Sequence, residues 1–198
     1  MKEKIICKAQ QMFLKFGFRS ITMDDIASEM CISKKTIYKY FINKDVLIEE
    51  CVTSAHNKIM DTIEQIVTQN YNAIEENFEL KKKFKEIFKI AESSPSYQLK
   101  KHYLGIYEKV LKTQIELCEN FFRKNIAKGI NQGLYRESLD INNYVKFYYI
   151  LIFNINENTI LEKEAQDLVT KALEYHIRAM ATVAGIIELE KHLNNSKV

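Results

Sequence analysis

The segment between Thr22 and Lys44, TMDDIASEMCISKKTIYKYFINK, limits the possible folds most, because it contains two helix start signals in close succession. Thr22 and Ser33 are residue types that cap helix N-termini, and Asp25, three residues after Thr22, can complete a near capping box. Between the caps, apolar residues recur at the spacing of one helical face: Met23, Ile26, Ala27 and Met30. The segment is therefore predicted to form a helix, a tight turn and a second short helix, followed by the start of a third.

The second of these helices is predicted to have a buried stripe and a cationic face. At about 100° per residue, Ile37 and Phe41 share the side that faces the first helix, whereas Lys35 and Lys39 lie opposite. Lysines can contact phosphates or guanine edges, and the hydroxyl groups beside them can donate to backbone oxygens of DNA. A solvated face on an ordinary helical hairpin is the alternative. The two caps, the short turn and the YKYF ending together favour DNA binding.

The run ITMDDIASEMCISKKTIYKYFINKDVL resembles the helix-turn-helix of TetR-like (TetR/AcrR) bacterial transcriptional regulators. The resemblance continues upstream through Ile5, Ala9, Phe13, Phe16, Gly17 and Phe18. Two residues depart from the family pattern: Cys31 stands where the turn usually has glycine, and Ile42 where proline is common. A positive φ at Cys31 would cost on the order of 1 kcal/mol. Beyond the first quarter of the chain, the resemblance is limited to length and helical layout.

The angular layout and the resemblance together predict which side chains meet double-stranded DNA. The residues expected in the major groove are Lys34, Lys35, Thr36 and Lys39. The residues expected to hold phosphates are Tyr38, Tyr40 and Lys44, and Thr22 completes the predicted DNA-binding set.

Composition and charge agree with this assignment. The chain of 198 residues has 5 Gly and 1 Pro and is 46% hydrophobic, which predicts a mostly helical protein with a real core. Residues 1–47 carry a net charge of +4 and the remainder −1, so the positive excess lies where nucleic acid is expected to bind. The longest apolar run, Phe147–Phe153, is too short to span a membrane, and MKEKIICK does not resemble a signal peptide. The protein is expected to be cytoplasmic, with no membrane partner.

An all-α fold of about nine helices is predicted, with a three-helix DNA-binding domain over residues 1–45 and a larger helical domain over 46–198. Asn43 is expected to cap a fourth helix that links the two parts. The predicted helices span residues 2–16, 22–30, 33–41, 43–70, 72–92, 94–103, 106–130, 140–156 and 163–192.

Two late segments are too apolar for a single contact stripe. Tyr144–Ile155 is apolar nearly all round, and the final helix is apolar over Leu168–Ile187. A partner subunit would cover both, and the resemblance implies a homodimer joined by the last two helices. Such a dimer would bind a palindromic operator. Packing within one subunit is the alternative.

A small-molecule effector of unknown identity is expected to bind in the larger domain. Apolar pockets contain a few polar groups, and aromatic and polar residues are dense in this part of the sequence. The predicted ligand-binding residues are Phe88, Tyr103, Tyr107, Gln114, Phe121, Tyr148 and Asn154. For the polar members, and for His176, a satisfied core or interface position is the alternative.

No catalytic motif, cofactor loop or metal-ligand spacing is recognisable, so no enzyme activity, cofactor or metal is predicted. The four cysteines are expected to be buried free thiols, with metal binding or redox sensing as the alternative. The sequence thus predicts a DNA-binding transcriptional regulator, a repressor released from its operator by a small molecule. The alternative is a ligand-independent DNA-binding or protein-interaction module of the same fold.

Overall fold

The computed structural model describes residues 1–195, and this part of the chain folds into ten α-helices. They are α1 (Lys2–Phe16), α2 (Met23–Glu29), α3 (Lys34–Tyr38), α4 (Lys44–Val67), α5 (Ala73–Ile87), α6 (Pro95–His102), α7 (Leu104–Asn131), α8 (Ile141–Asn158), α9 (Glu162–Met180) and α10 (Val183–Asn195). β-Bridge pairing in the described residues is limited to two isolated bridges, Ser93 with Leu161 and Tyr135 with Ala181. The predicted all-α class is confirmed.

The predicted caps fix where the N-terminal helices begin. The Thr22 hydroxyl accepts from the Asp25 amide (3.1 Å) and the Asp25 carboxylate accepts from the Thr22 amide (2.8 Å), which is a reciprocal capping box. The Ser33 hydroxyl caps α3, and the Asn43 side chain caps α4 by accepting from the Val46 amide at 2.9 Å. These starts agree with the sequence-based predictions.

The turn between α2 and α3 has a positive φ at Cys31, which is the strained conformation considered in the sequence analysis. Cys31 has φ 52°, in the left-handed region that favours glycine. Two backbone hydrogen bonds close the turn, from Cys31 N to Ser28 O and from Ile32 N to Ala27 O, each 3.0 Å long. The turn therefore keeps its tight geometry with a strained non-glycine residue.

A first hydrophobic cluster holds α1, α2 and α3 together and extends beyond them. Its buried members include Ile26 and Ile37, together with Leu47 from the start of α4. It also includes Leu99 of α6 and Tyr107 of α7. The N-terminal helices therefore share one core with helices from the larger part of the chain.

Helix α6 makes a specific polar contact with the loop between α1 and α2. The Gln98 side-chain oxygen accepts from the Phe18 amide at 2.9 Å, and the Tyr103 hydroxyl donates to the Phe18 carbonyl at 3.4 Å. Gly17, with φ 86°, allows this approach, because a Cβ there would lie 2.8 Å from the Gln98 oxygen. Gln98 and Tyr103 therefore hold the loop in place through hydrogen bonds to its backbone.

A second hydrophobic cluster fills the space between the far end of α4 and helices α5 and α7–α10. A buried polar network lies within it. Lys128 donates to Glu76 at 2.5 Å, and Asn125 donates to the other oxygen of Glu76 at 2.8 Å and accepts from Asn77 at 2.7 Å. Buried polar groups need such partners, so this network fixes α5 against α7.

The last predicted helix, 163–192, is instead two helices, α9 and α10. The helix is interrupted at Thr182. The amide of Thr182 donates to Leu134 O (2.9 Å) and its hydroxyl donates to Gly133 O (2.7 Å), both in the loop after α7. The Thr182 hydroxyl also accepts from the Gly185 amide at 3.2 Å and so caps α10. A tertiary contact therefore ends α9, and the predicted number of about nine helices becomes ten in the described residues.

The expectation that all four cysteines are buried is wrong for two of them. Cys7 and Cys31 are exposed, Cys51 is buried and Cys118 is half-buried. Burial raises the pKa of the Cys51 and Cys118 thiols to about 12, so these two stay protonated. None of the helices in residues 1–195 is long and apolar enough to cross a membrane.

Replacing Cys31 by Gly should raise the free energy of unfolding relative to Cys31→Ala by about 0.5–1 kcal/mol, because only glycine relieves the left-handed strain. Urea unfolding followed by circular dichroism measures the difference. Cys31→Ala is the control, since it removes the thiol but keeps the strained backbone. Equal stabilities of the two variants would show that the turn is not strained.

Candidate nucleic-acid interface

Helix α3 is anchored by one side and exposed on the other. Ile37, and Phe41 just after the helix, are fully buried in the first cluster. Lys35 and Lys39 are exposed, as the angular layout predicted, and Tyr38 and Tyr40 are exposed beside them. The two buried residues thus turn cationic and hydroxyl groups toward the surrounding solution.

The exposed side of α3 forms an open surface depression of about 660 Å³. Its lining is Met1, Ser33, Lys35, Thr36, Tyr38, Lys39 and Tyr40. It is open and lined by cationic and hydroxyl side chains, which suits a large anionic surface better than an enclosed small molecule.

Lys34 is positioned differently from the other lysines. Its ammonium donates to the Asp24 carboxylate of α2 at 2.7 Å, and both side chains are 59% exposed. The hydrogen bond with Asp24 raises the pKa of Lys34. In this structure the charge of Lys34 is therefore partly neutralised by α2.

Thr22, Thr36 and Lys44 also have partners within the protein. The Thr22 hydroxyl donates to Asp25 at 2.7 Å, and the Thr36 hydroxyl lies 2.8 Å from that of Ser33. Lys44, at the start of α4, donates to the carbonyl of Arg19 at 3.2 Å. Burial lowers the pKa of Lys44, which is half-buried. These groups line the N-terminal ends of α2, α3 and α4, where backbone amides also face outward.

The predicted ligand-binding residues lie in several different parts of the structure. Tyr103 and Tyr107 belong to the first cluster, whereas Phe121 and Tyr148 belong to the second. The other three are Gln114, half-buried on α7, Phe88, half-buried at the end of α5, and Asn154, exposed on α8. The Tyr107 hydroxyl donates to Glu157 of α8. Several of these residues therefore have structural roles of their own.

His176 occupies the core of the second cluster. Its ring stacks on that of Tyr148, with centroids 4.3 Å apart and an interplanar angle of 11°. Burial lowers the pKa of His176 to about 4, so the imidazole is neutral at pH 7. Its Nε2 has no hydrogen-bond partner among the described residues.

The middle of α4 is less well packed than either end. Leu47 and Ile48 are buried in the first cluster and Ile66 in the second, whereas His56 and Met60 between them are only half-buried. Burial lowers the pKa of His56. Helices α5 and α7 both pack against α4. Sequence analysis missed these α4 residues because they sit in an ordinary amphipathic pattern with no distinctive motif.

Large apolar side chains remain exposed on the last three helices. We define an apolar face by seven large apolar side chains of α8, α9 and α10. They are Phe147, Ile150, Leu151, Leu168, Tyr175, Val183 and Ile187. Phe147 is 63% exposed and Tyr175 is 71% exposed, which is unusual for aromatic residues. Helices α8 and α9 pack side by side, so their exposed residues can form one surface.

Comparison with known proteins identifies the same N-terminal region. Residues 5–51 match the family described as bacterial regulatory proteins, tetR family. The chain is 26% identical over 137 residues to the biofilm operon icaADBC HTH-type negative transcriptional regulator IcaR of Staphylococcus aureus, covering 69% of this chain and 67% of that protein.

Solved structures share the fold over nearly the whole chain. A transcriptional regulator from Cytophaga hutchinsonii has a TM-score of 0.72 at 19% identity, with 91% of this chain and 98% of that chain covered. SmeT, the repressor of the Stenotrophomonas maltophilia multidrug efflux pump SmeDEF, has a TM-score of 0.62 at 16% identity, covering 92% and 91%. This chain therefore shares the fold of these regulators well beyond the helix-turn-helix.

Replacing Asp24 by Asn should increase affinity for non-specific DNA by ~3- to 10-fold at low salt, because Lys34 becomes free to neutralise a phosphate. The salt dependence of binding should become steeper by about one unit. Fluorescence anisotropy with a random duplex, titrated at several salt concentrations, measures both quantities. The matched control is Glu29→Gln, which breaks the 2.8 Å pair with Lys8 without involving α3. An unchanged salt slope in the Asp24 variant would show that the ion pair with Asp24 does not keep Lys34 from DNA.

Proposed function

We propose that this chain, a TetR-like DNA-binding transcriptional regulator, is a repressor that leaves its operator when a small molecule binds. The observation that carries the proposal is the exposed cationic side of α3, held outward by buried Ile37 and Phe41 within the family-matched residues 5–51. Repression is supported by IcaR, a negative regulator, and by SmeT, a repressor. Because its target is chromosomal DNA, we place its action in the bacterial cytoplasm.

The proposed DNA contacts divide into two kinds. Lys35, Thr36 and Lys39 would read base edges in the major groove, with Lys34 joining them once it leaves Asp24. Tyr38, Tyr40 and Lys44 would hold phosphates and fix the position of α3, and Thr22 would add a hydroxyl at the start of α2. Residues 1–45 would form the DNA-binding domain, although its core is shared with Leu99 and Tyr107.

The apolar face supports a homodimer. Several large apolar side chains exposed on neighbouring helices are typical of an interface. The interface we propose uses α8 and α9, with the first turn of α10 at its edge, rather than one long final helix. A twofold dimer would present two α3 helices to a palindromic site whose half-sites are about one helical turn, roughly 34–36 Å, or a multiple of it apart.

Helix α4 is the proposed connection between effector and DNA. It begins at Lys44, beside the proposed phosphate contacts, and ends at Ile66 and Val67 near the second cluster. An apolar or aromatic effector is proposed to bind along its half-buried middle, between α5, α7 and α8. The effector must prefer the state that cannot bind DNA, since equal affinity for both states would shift nothing. A 100-fold preference would supply roughly 2.7 kcal/mol per site.

The alternative is a regulator of the same fold that responds to no ligand, and the dispersed positions of Gln114, Asn154 and the aromatic residues favour it. The two functions differ in one thermodynamic property. Under effector release, operator DNA must weaken effector binding by the same factor by which the effector weakens operator binding. A compound screen by calorimetry, repeated with and without operator, should find such reciprocal compounds. If every compound that binds is indifferent to DNA, the ligand-independent alternative is correct.

Substitution of two lysines should separate phosphate contact from base reading. Lys44→Ala should weaken binding to all DNA sequences alike and reduce the salt slope by about one unit. Lys35→Ala should relax the preference for one base pair, a loss of about 1–3 kcal/mol in discrimination. Competition binding against single-base variants of the operator measures both effects. Lys112→Ala, an exposed lysine of α7, is the control. Unchanged operator affinity in both variants would refute the assignment.

A charge placed in the apolar face should separate the subunits. Phe147→Asp and Tyr175→Asp should each sediment as monomers and lose operator binding, because a buried unpaired carboxylate costs several kcal/mol at an interface. Circular dichroism should show unchanged helix content. Ile90→Asp, an exposed apolar position at the end of α5, should remain dimeric. A monomer for the unmodified protein at micromolar concentration would rule out the dimer.

A further inference from the structure

We propose that Glu75, Glu188 and His192 form a binding site for a divalent transition-metal ion of the Zn²⁺ class, which fastens α10 to the start of α5. One potential ligand atom of each residue lies within 4.8 Å of those of the other two. All three side chains are half-buried. This site is separate from the proposed DNA and effector sites and does not depend on them.

The histidine and one glutamate already have a separation suited to a shared ion. Glu188 and His192 are four residues apart on α10, and His192 Nε2 lies 3.3 Å from Glu188 Oε1. Zinc binds imidazole nitrogen and carboxylate oxygen at about 2.0–2.2 Å, so tetrahedral ligand atoms lie about 3.4 Å from one another. An ion can therefore bind both residues without movement of the helix, and rotation of the Glu75 side chain would complete a three-ligand site.

The second carboxylate comes from the capping box of α5. Glu75 Oε2 accepts from the Asn72 amide at 2.7 Å. The Asn72 side-chain amide donates to Glu188 Oε1 at 3.1 Å. Asn72 thus holds both carboxylates toward the same point, in the way that outer hydrogen bonds orient metal ligands.

The histidine ring is also fixed. Phe78 of α5 stacks on it, with centroids 4.9 Å apart and an interplanar angle of 19°. Lys191 donates to Glu188 Oε2 at 2.8 Å, while Glu188 Oε1 lies beside the imidazole. An imidazole with two carboxylates suits zinc, cobalt or nickel better than magnesium or calcium, which prefer oxygen ligands alone.

An ion at this point would join two elements that are far apart in the sequence. Helix α10 packs on α5 and α9, and α5 in turn packs on α4 and α7. The ion would stabilise the docking of the last helix on the larger part of the chain. Its proposed role is therefore structural, with the remaining coordination position open to water.

Titration of the chelator-treated protein with ZnCl₂ in a calorimeter tests the proposal. We expect one ion per protomer and a rise in the melting temperature on binding. His192→Gln and Glu188→Gln should each weaken binding by at least about tenfold, and Glu75→Gln should also weaken it. His102→Gln, an exposed histidine of α6, should bind like the unmodified protein.

A variant that is expected to bind zinc more tightly distinguishes a specific loss of the site from misfolding. Lys191→Met should tighten zinc binding by about 2- to 5-fold, because the competing ammonium no longer occupies Glu188. Helix content measured by circular dichroism should match the unmodified protein in all variants that are compared. Zinc affinity that is unchanged in His192→Gln would overturn the proposal, since it would place the ion elsewhere, for example on exposed Cys7 or Cys31. The absence of saturable binding to the unmodified protein would overturn it as well.

Discussion

A helix as short as α3 cannot hold its own conformation in water, so its position depends on the burial of Ile37 and Phe41. These two side chains belong to the first cluster with residues of α1, α2 and α4, and the Ser33 hydroxyl accepts from the Thr36 amide at 3.1 Å. Because Ile37 and Phe41 occupy one side of α3, Lys35 and Lys39 are exposed on the other side. The cationic surface is thus a consequence of core packing.

The same packing connects the DNA-facing helices to the rest of the chain. Helix α4 contributes side chains to both clusters, and α6 holds the backbone of Phe18 through Gln98 and Tyr103. Helix α6 is in turn tied to α8, where Lys100 pairs with Glu157 at 2.6 Å and the Ser94 hydroxyl donates to Asn156 O at 2.7 Å. A shift of α4 would therefore act on the first cluster directly. A shift of α8 would act on it through α6.

Local signals in the sequence were sufficient for much of the fold. The capping residues Thr22, Ser33 and Asn43 begin helices where predicted, and the periodicity of α2 and α3 identified their buried sides. Such features depend on residues within one or two turns of each other, which is why they can be read from a single sequence. The left-handed turn at Cys31 was anticipated from the family resemblance instead, because the family usually has glycine there.

Features that depend on distant residues could not be read in this way. Thr182 ends α9 through contacts with Gly133 and Leu134, and no glycine or proline marks the break. The pairing of Lys34 with Asp24 and the meeting of Asn72 with Glu188 join different helices. Aromatic residues in amphipathic helices show which sequence positions are apolar, but not which neighbour they meet. Four of the predicted ligand-binding residues are therefore divided between the two clusters.

Recovery of bound fragments from a pool of bacterial genomic DNA tests the central claim most directly. The purified protein should retain a small set of fragments that share a palindrome, and a Lys35→Ala, Lys39→Ala variant should no longer enrich them. Retention of fragments without a common sequence, or equal enrichment by the lysine variant, would contradict the conclusion that α3 reads DNA.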